Sequence, residues 1–291
     1  WPDPSQMQDE LRKYSEDDAK AYPVFVAHMR KLVAHLRELI FEVPVDFTTG
    51  KIKDLTKSAG LIWRMRKAGP MFYDIWDLLT MSCHDYLTRW FSNPQVLTVF
   101  GCYASGSGGN IGPMSPGSAY VLARPYLRES DTAAGPGGLV QGGMGAIAKA
   151  LERSCQELGV DLRCYAAVKE VVVEQGRATG VLLENGEVVR AKKVVANANA
   201  KTLFLRLLKP EHVPTEVIAQ VKRIRTKSTT FKINMALSGL PKWNCLVGKD
   251  FQIPGSITIA ENLTELQEAF ESGQHGRIAE HPYMWILTPS A

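Results

Sequence analysis

Apolar residues recur at helical spacing in the first part of the chain. Phe25, Met29 and Leu32 belong to a stripe with intervals of three and four residues, and Ser15 followed by three acidic residues has the form of a helix start. This pattern predicts one long amphipathic helix from Ser15 to about Pro44. Residues 60–100 contain further stretches with the same periodicity, so we expect the first part of the chain to be mostly helical.

The pattern changes after residue 144. Apolar positions at Ile147, Leu151 and Leu158 predict a helix that Gly159 ends. Short alternating runs follow, separated by a Gln-Gly pair and an Asn-Gly pair that favour tight turns, and these runs predict strands. The expected strands are residues 160–165, 168–174, 178–183 and 188–191, followed by a short buried strand that ends at Asn197.

The remainder of the chain mixes both periods. Helices are expected just after residue 199 and near residue 214, and "NLTELQEAFES" predicts another helix. The run "STTFKINMALSGLP" alternates as a half-buried strand does, and "GSITIAE" and "YMWIL" predict two more strands. The chain is therefore predicted to combine α and β structure.

Charge is concentrated in one segment of the chain. The 291 residues carry a formal net charge of +4, with 45% hydrophobic and 22% charged residues, which is typical of a folded protein. Between Lys51 and Lys67 there are six basic residues and one acidic residue, a local balance of +5, so the rest is near −1. This distribution does not favour a nucleic-acid partner. Because aromatic residues adjoin the basic ones, residues 51–76 predict either peripheral membrane contact or an ordinary exposed helix.

Cysteine and histidine usage predicts neither a disulfide framework nor a metal site. The five cysteines are far apart and form no C-x-x-C pair, and the six histidines lack the spacing of metal ligands. A reducing compartment is favoured, so we expect the cytoplasm or, in a eukaryote, the mitochondrial matrix. The chain begins with Trp1 and shows no leader, and we expect it to be an internal piece of a longer protein.

Residues 143–148 read "GMGAIA" and fit the dinucleotide-binding pattern G-x-G-x-x-G/A. That pattern binds a pyrophosphate when a buried strand leads into the glycines and a helix follows them. The preceding residues, "ESDTAAGPGGLVQ", supply at most two apolar strand residues. We therefore expect these glycines not to form the phosphate-binding loop.

Several pieces of the chain together resemble one family of flavoenzymes. They are "YSEDDAKAYPVF", "PVD", "SPGSAYVL", "GLVQGGMGAIAKAL", "GVLLENGEVVRAKKVVANANA", "FKINMAL" and "TPSA". Each is weakly specific, but in this order they resemble FAD-dependent oxidoreductases of the phytoene desaturase and amine oxidase superfamily. Such enzymes begin with a true G-x-G-x-x-G loop and end with a Gly-rich flavin-holding segment, and neither is present in this sequence.

The resemblance implies a mixed α/β fold in three segments. Residues 1–134 would form a mostly helical substrate or cap domain. Residues 135–200 would be part of an FAD/NAD(P)-binding domain of the glutathione-reductase type, built as helix, strand, three-stranded β ribbon and strand. Residues 201–291 would add the sheet and helices of the substrate domain, truncated at its end.

The resemblance also implies site residues. Val168, at the start of the ribbon, would present its backbone to the adenine of FAD, unless it is an ordinary core residue. Gly142 and Gly143 would allow close approach to the cofactor or substrate channel, or would simply start a helix. Asn197 and Asn199 would lie near the flavin or cap the next helix.

A substrate cavity is implied in the same way. It would be apolar and lined by Met114, Tyr120, Met144 and Phe231, although plain core positions are an alternative for each.

The implied function is flavin-dependent redox chemistry. FAD in the longer protein would accept hydride from a hydrophobic small molecule such as a polyene in a dehydrogenation, or would assist its isomerisation. No catalytic side chain can be assigned, and the chain alone is expected to bind FAD weakly or not at all and to be inactive. The alternatives are a non-catalytic binding protein on the same fold and a flavin amine oxidase. The oligomeric state is not predicted.

Overall fold

The computed structural model describes residues 4–40, 59–60, 63, 66, 69–105, 111–127, 140–226, 230–244 and 256–288. Contacts divide the chain into two compact units. The first comprises Trp1–Leu139 with Ser228–Ala291, and the second is Val140–Lys227. The mixed α and β content predicted from the sequence is confirmed, whereas the three-segment domain division stays a prediction.

Most of the described regular structure is helical. The α-helices in chain order are α1 (Pro4–Arg12), α2 (Glu16–Ile40), α3 (Met71–Thr80), α4 (Cys83–Leu87), α5 (Pro94–Ser105), α6 (Arg124–Leu127), α7 (Met144–Glu157), α8 (Ala200–Thr202), α9 (Thr215–Arg223) and α10 (Leu263–Gln274). Short 3₁₀ helices cover Ser118–Ala123 and Pro210–His212, and a π-helical turn covers Leu203–Leu207. The long helix predicted after Ser15 is confirmed as α2.

The core of the first unit forms around α2. The residues of its apolar stripe, including Phe25, Met29 and Leu32, are buried. Phe91 packs edge-on against Phe25 with ring centroids 5.2 Å apart and stacks on Phe100 at 5.0 Å. These ring contacts connect α2 to the segment that contains α5, so the predicted amphipathic face is the face that builds the core.

A buried carboxylate fixes the segment before α5. Asp18 is buried in the first turn of α2, where Ser15 caps its backbone N–H through Oγ at 3.2 Å. The carboxylate accepts hydrogen bonds from the backbone N–H of Ser92 at 3.0 Å and of Asn93 at 2.8 Å, and from the Ser92 hydroxyl at 3.2 Å. A buried carboxylate needs such donors, so these bonds hold the two segments in one arrangement.

The second unit contains a three-stranded antiparallel ribbon with the order β1 (Val168–Glu174), β2 (Arg177–Leu183) and β3 (Val188–Arg190). Gln175 and Gly176, with positive φ, make the first turn, and Gly186 with φ of 90° lies in the second. The ribbon and both turns are confirmed. In the first unit, β4 (Ser256–Ile259) pairs antiparallel with β5 (Met284–Leu287), which confirms the strands predicted in "GSITIAE" and "YMWIL".

Three predicted strands are wrong. Residues 160–165, the run before Asn197, and the described part of "STTFKINMALSGLP" all lack strand structure. Their apolar side chains are exposed, as shown by Val195 at 94% and Phe231 at 87%. A β-strand is defined by hydrogen bonds to a neighbouring strand, and no described strand pairs with these segments. Apolar alternation alone therefore did not identify a strand in these segments.

Candidate functional site

The double glycine lies in a turn that starts α7. The N–H of Gly143 donates to the carbonyl of Val140 at 2.9 Å, and Gly142 and Gly143 have φ of 81° and 75°. Gly143 is the N-cap, with ψ of −177°, and no side chain caps the helix. Only glycine adopts that combination without strain, so the backbone explains Gly143 at this position.

The surroundings of this turn are open. A Cβ added at Gly143 would meet nothing within 4 Å, and one at Gly142 would make ordinary contact with Ala146 at 3.5 Å. Residues 128–139 lie outside the described residues, so the expected absence of a feeding strand stays a prediction. The helix-start role of the glycines is therefore visible, and the cofactor-approach role stays a prediction.

Val168 begins the ribbon at an irregular position. Its Cα pairs with Leu183, but the next pair is Glu170 with Leu182, so the register shifts immediately after Val168. A shift of this kind is a β-bulge, which interrupts the ladder and is common beside binding sites. The side chain is borderline exposed, whereas Val171 and Leu183 are buried. This geometry is compatible with backbone recognition of an adenine edge.

The two asparagines differ in their surroundings. The side chain of Asn199 accepts a hydrogen bond from the N–H of Lys201 at 2.9 Å and caps α8, which is one of the two roles that the sequence left open for it. Asn197 lies two residues earlier in an irregular, exposed segment. Its proximity to a flavin stays a prediction.

The four candidate cavity residues are all exposed. Tyr120 lies in the 3₁₀ helix Ser118–Ala123, and the backbone N–H of Met114 donates to Gln267 Oε1 at 3.0 Å. Phe231 also belongs to the first unit, whereas Met144 is the first residue of α7 in the second unit. Because these four side chains are exposed, the structure supports neither the closed cavity nor the core position for them, and the cavity lining stays a prediction.

The adjacent residues Cys83, His84 and Asp85 do not form a nucleophilic site. Burial raises the pKa of the Cys83 thiol to about 12, so the thiol stays protonated at neutral pH. A hydrogen bond with His84, Nδ1 to Oδ1 at 3.0 Å, lowers the pKa of Asp85. Within the described ranges, no group of three or more His, Cys, Asp and Glu residues could hold a metal ion.

Sequence reasoning missed the buried contacts of Asp18. The Ser-x-x-acid pattern indicated only a helix start, and no local signal shows that the same carboxylate would receive bonds from Ser92 and Asn93, more than seventy residues away. Sequence reasoning also missed Gln267, whose amide oxygen accepts from Met114 across 153 residues. Both contacts depend on tertiary packing, which a local pattern does not report.

Comparison with known proteins identifies the family. The family described as flavin containing amine oxidoreductase matches residues 31–280. The chain belongs to this family. A rat protein, pyridine nucleotide-disulfide oxidoreductase domain-containing protein 2 (Rattus norvegicus), is 28% identical over 306 residues, covering 99% of this chain and 52% of the rat protein. The mouse protein of the same name (Mus musculus) is 28% identical over 301 residues, with 98% and 51% coverage. The chain thus spans about half the length of the curated relatives it matches.

A carotenoid enzyme is also similar. Hydroxyneurosporene desaturase of Rubrivivax gelatinosus is 31% identical over 156 residues, which cover 53% of this chain and 28% of the desaturase. These findings confirm the resemblance to the phytoene desaturase and amine oxidase superfamily. The family is one of flavin-containing oxidoreductases, so the expected FAD cofactor and oxidoreductase class are confirmed at the level of the family.

The second unit has two features that bear on FAD binding. The register shift after Val168 interrupts the strand ladder, and the turn at Gly143 has open space around it. The sequence predicts no strand that leads into this glycine turn. The roles of both features toward FAD stay predictions.

Proposed function

We propose that this chain is part of an FAD-dependent oxidoreductase that removes hydride from a hydrophobic substrate. When bound, FAD supplies the electron acceptor for such chemistry. Family membership over residues 31–280 carries the proposal. The desaturase named among the relatives supports a hydrophobic, polyene-like substrate over a small polar one.

The second unit is the proposed contribution to FAD binding. The order of α7 followed by the ribbon β1–β3 supports a segment of a glutathione-reductase-type FAD domain. The proposed role of Val168 is to present its backbone groups to the adenine, and that of Gly142 and Gly143 is to leave space for the cofactor or channel. No proton transfer by a side chain is proposed, since hydride transfer to a flavin requires positioning and exclusion of water more than an acid or base.

The candidate cavity residues are the proposed contacts for the substrate. Met114, Tyr120, Met144 and Phe231 would contact a hydrophobic substrate in the longer protein. Dehydrogenation is the proposed reaction, with flavin-assisted isomerisation as the closest variant.

A flavin spectrum tests the proposal. The longer protein that contains this chain is expected to purify with bound flavin, or to take it up on reconstitution with FAD. In that protein, Val168→Ala should retain flavin, whereas Val168→Pro, which removes the backbone N–H, should lower flavin content. A colourless protein that cannot be reconstituted would refute the oxidoreductase proposal and favour a non-catalytic binding protein on the same fold.

An amine oxidase is the second candidate, because the family description itself names amines. An amine substrate needs a polar pocket matched to its charge, while the four candidate residues are three apolar side chains and a tyrosine. Flavin reduction under anaerobic conditions by a panel of amines, but not by polyenes, would favour this alternative.

The chain alone provides a separate test. Titration with FAD is expected to show weak binding or none, because the sequence predicts no strand-fed pyrophosphate loop. Micromolar or tighter binding would contradict this expectation and show that the chain binds the cofactor as it stands.

A further inference from the structure

The outward side of α3 is apolar. Ile75 and Leu78 are buried against the core, whereas Phe72, Tyr73, Trp76 and Leu79 are exposed on the same helix. At 100° per residue, these four exposed positions fall within one side of the helix, together with Thr80. The two acidic residues of the helix lie beside this side rather than on it. We call the four residues Phe72, Tyr73, Trp76 and Leu79 the aromatic face.

The aromatic face is exposed to a degree that ordinary surface helices avoid. Tyr73 is 73% exposed and Trp76 is 59% exposed. The nearest acidic side chain on the flank, Asp77, is engaged by Arg89 at 2.6 Å. A contiguous exposed apolar surface of this kind marks an interaction site.

The residue types of the aromatic face suit a lipid interface. Trp and Tyr have an apolar ring and a polar tip, and they are enriched where hydrocarbon meets water. The exposed apolar side of α7 gives a contrast within the same chain, since it consists of the aliphatic residues Ile147, Leu151 and Leu158. The aromatic face, with basic residues before it, has the composition of an interfacial helix, whereas the apolar side of α7 does not combine aromatic rings with such a basic segment.

Positive charge lies directly before the aromatic face. The guanidinium of Arg66 is 5.9 Å from the ring centre of the exposed Trp63. Backbone hydrogen bonds from Gly69 N–H to Arg66 and from Phe72 N–H to Gly69 join this pair to the start of α3. In the sequence, residues 51–67 carry a formal net charge of +5. Basic residues next to an apolar helix are attracted to anionic headgroups, and the attraction acts within about one Debye length.

We propose that the aromatic face, together with Trp63 and Arg66, binds this chain to the surface of a bilayer that contains anionic lipids. The ring side chains enter the headgroup boundary, and the basic residues contact phosphates. The part of the chain that the structure describes contains no helix both long and apolar enough to cross a bilayer. This inference goes beyond the redox function and does not depend on bound flavin.

Sedimentation with lipid vesicles tests the proposal on the chain as it is. Vesicles of phosphatidylcholine alone are compared with vesicles that also contain phosphatidylglycerol. The protein should bind the anionic vesicles more strongly, and added salt should weaken the binding. The double variant Tyr73→Ser/Trp76→Ser should bind at least about tenfold more weakly, because two interfacial rings are lost.

A matched control distinguishes binding through the aromatic face from nonspecific hydrophobic binding. Tyr14 is 58% exposed and Ile278 is 96% exposed, and both belong to the first unit. The variant Tyr14→Ser/Ile278→Ser therefore removes comparable exposed apolar area, and its vesicle binding should stay within about twofold of the parent. Far-UV circular dichroism checks that both double variants keep the parent helix content.

Three results would overturn the proposal. The first is that the folded parent chain fails to bind either vesicle. The second is that both double variants bind as the parent does, or lose binding equally. The third is that the chain forms a dimer in solution that Tyr73→Ser/Trp76→Ser dissociates, with no vesicle binding, which would make the aromatic face a contact between copies.

Discussion

Two glycines two residues apart should respond to alanine with opposite signs. Gly143 has φ of 75° and ψ of −177°, a conformation that only glycine adopts readily, and an added Cβ would meet nothing within 4 Å. The cost of Gly143→Ala is therefore backbone strain alone, about 1–3 kcal/mol. Gly145 lies inside α7 and also has open space around it. There alanine favours the helix by about 0.5–1 kcal/mol.

Urea unfolding followed by far-UV circular dichroism measures both changes in the free energy of unfolding. The two variants should differ by about 1.5–4 kcal/mol, with Gly143→Ala less stable and Gly145→Ala more stable than the parent. Since neither substitution creates a clash, each serves as the steric control for the other. Equal effects, or a stabilising Gly143→Ala, would refute the assignment of Gly143 to a strained helix start.

The same pair of variants separates the two roles proposed for the glycine turn. In the longer flavin-containing protein, a role as helix start alone predicts that Gly143→Ala lowers stability but leaves flavin content unchanged. A role in cofactor approach predicts a loss of flavin under conditions where the variant is still folded. Gly145→Ala should retain flavin in both cases.

Three further predictions each concern one buried or closely packed residue. Asp18→Asn should lower the free energy of unfolding by about 2–3 kcal/mol, because the buried carboxylate oxygens accept several hydrogen bonds. The control Asp17→Asn, at a side chain that is 95% exposed, should cost about 0.5 kcal/mol. Similar losses in the two variants would contradict this account. Gly180→Ala should cost about 2–3 kcal/mol, because the methyl group would overlap a carbonyl of the adjacent strand, and an unchanged midpoint in urea would argue against the ribbon register. The free energy of unfolding should fall as the pH rises from about 9 towards 12, because burial raises the pKa of the Cys83 thiol from 9.0 to about 12 and the unfolded chain therefore loses the thiol proton at a lower pH. Cys83→Ala should make this fall less steep by up to about 1.4 kcal/mol per pH unit. A variant with the same pH profile as the parent would contradict this account.

Local pattern predicted the elements whose stability is local. The Ser15 start signal and the apolar stripe of α2, and the turn residues of the ribbon β1–β3, act over a few residues. The run before Asn197 has an equally clear apolar character, yet it forms no strand among the described residues. A strand requires a partner whose position a single segment does not encode. Periodicity therefore identified the ribbon strands and the separated pair β4 and β5, but could not show that the run before Asn197 forms no strand.

In the candidate site too, the local contact was predictable from the sequence and the contacts between separate segments were not. The cap at Asn199 follows from the hydrogen-bonding chemistry of asparagine, and the structure shows it. The bulge after Val168 was not predicted, because a shift of register depends on both strands. Family resemblance indicated the cofactor, while none of the local patterns did. Roles that depend on the cofactor itself, such as that of Asn197, lie beyond what residue spacing encodes.

We predict that the exposed side of α7 affects flavin affinity. Ile147 and Leu151 form the apolar side of this helix together with Leu158, which directly follows it, and no residue of the helix is buried. A helix of 14 residues without a packed face is marginal in water. Covering three such side chains would contribute about 3–6 kcal/mol, given that part of each is already shielded. A cofactor that requires the N-terminus of α7 and the ribbon in fixed positions would bind weakly until this side is covered. Flavin affinity should therefore rise with any segment that packs on these residues, and Leu151→Ser should reduce flavin content in the longer protein without touching the cofactor.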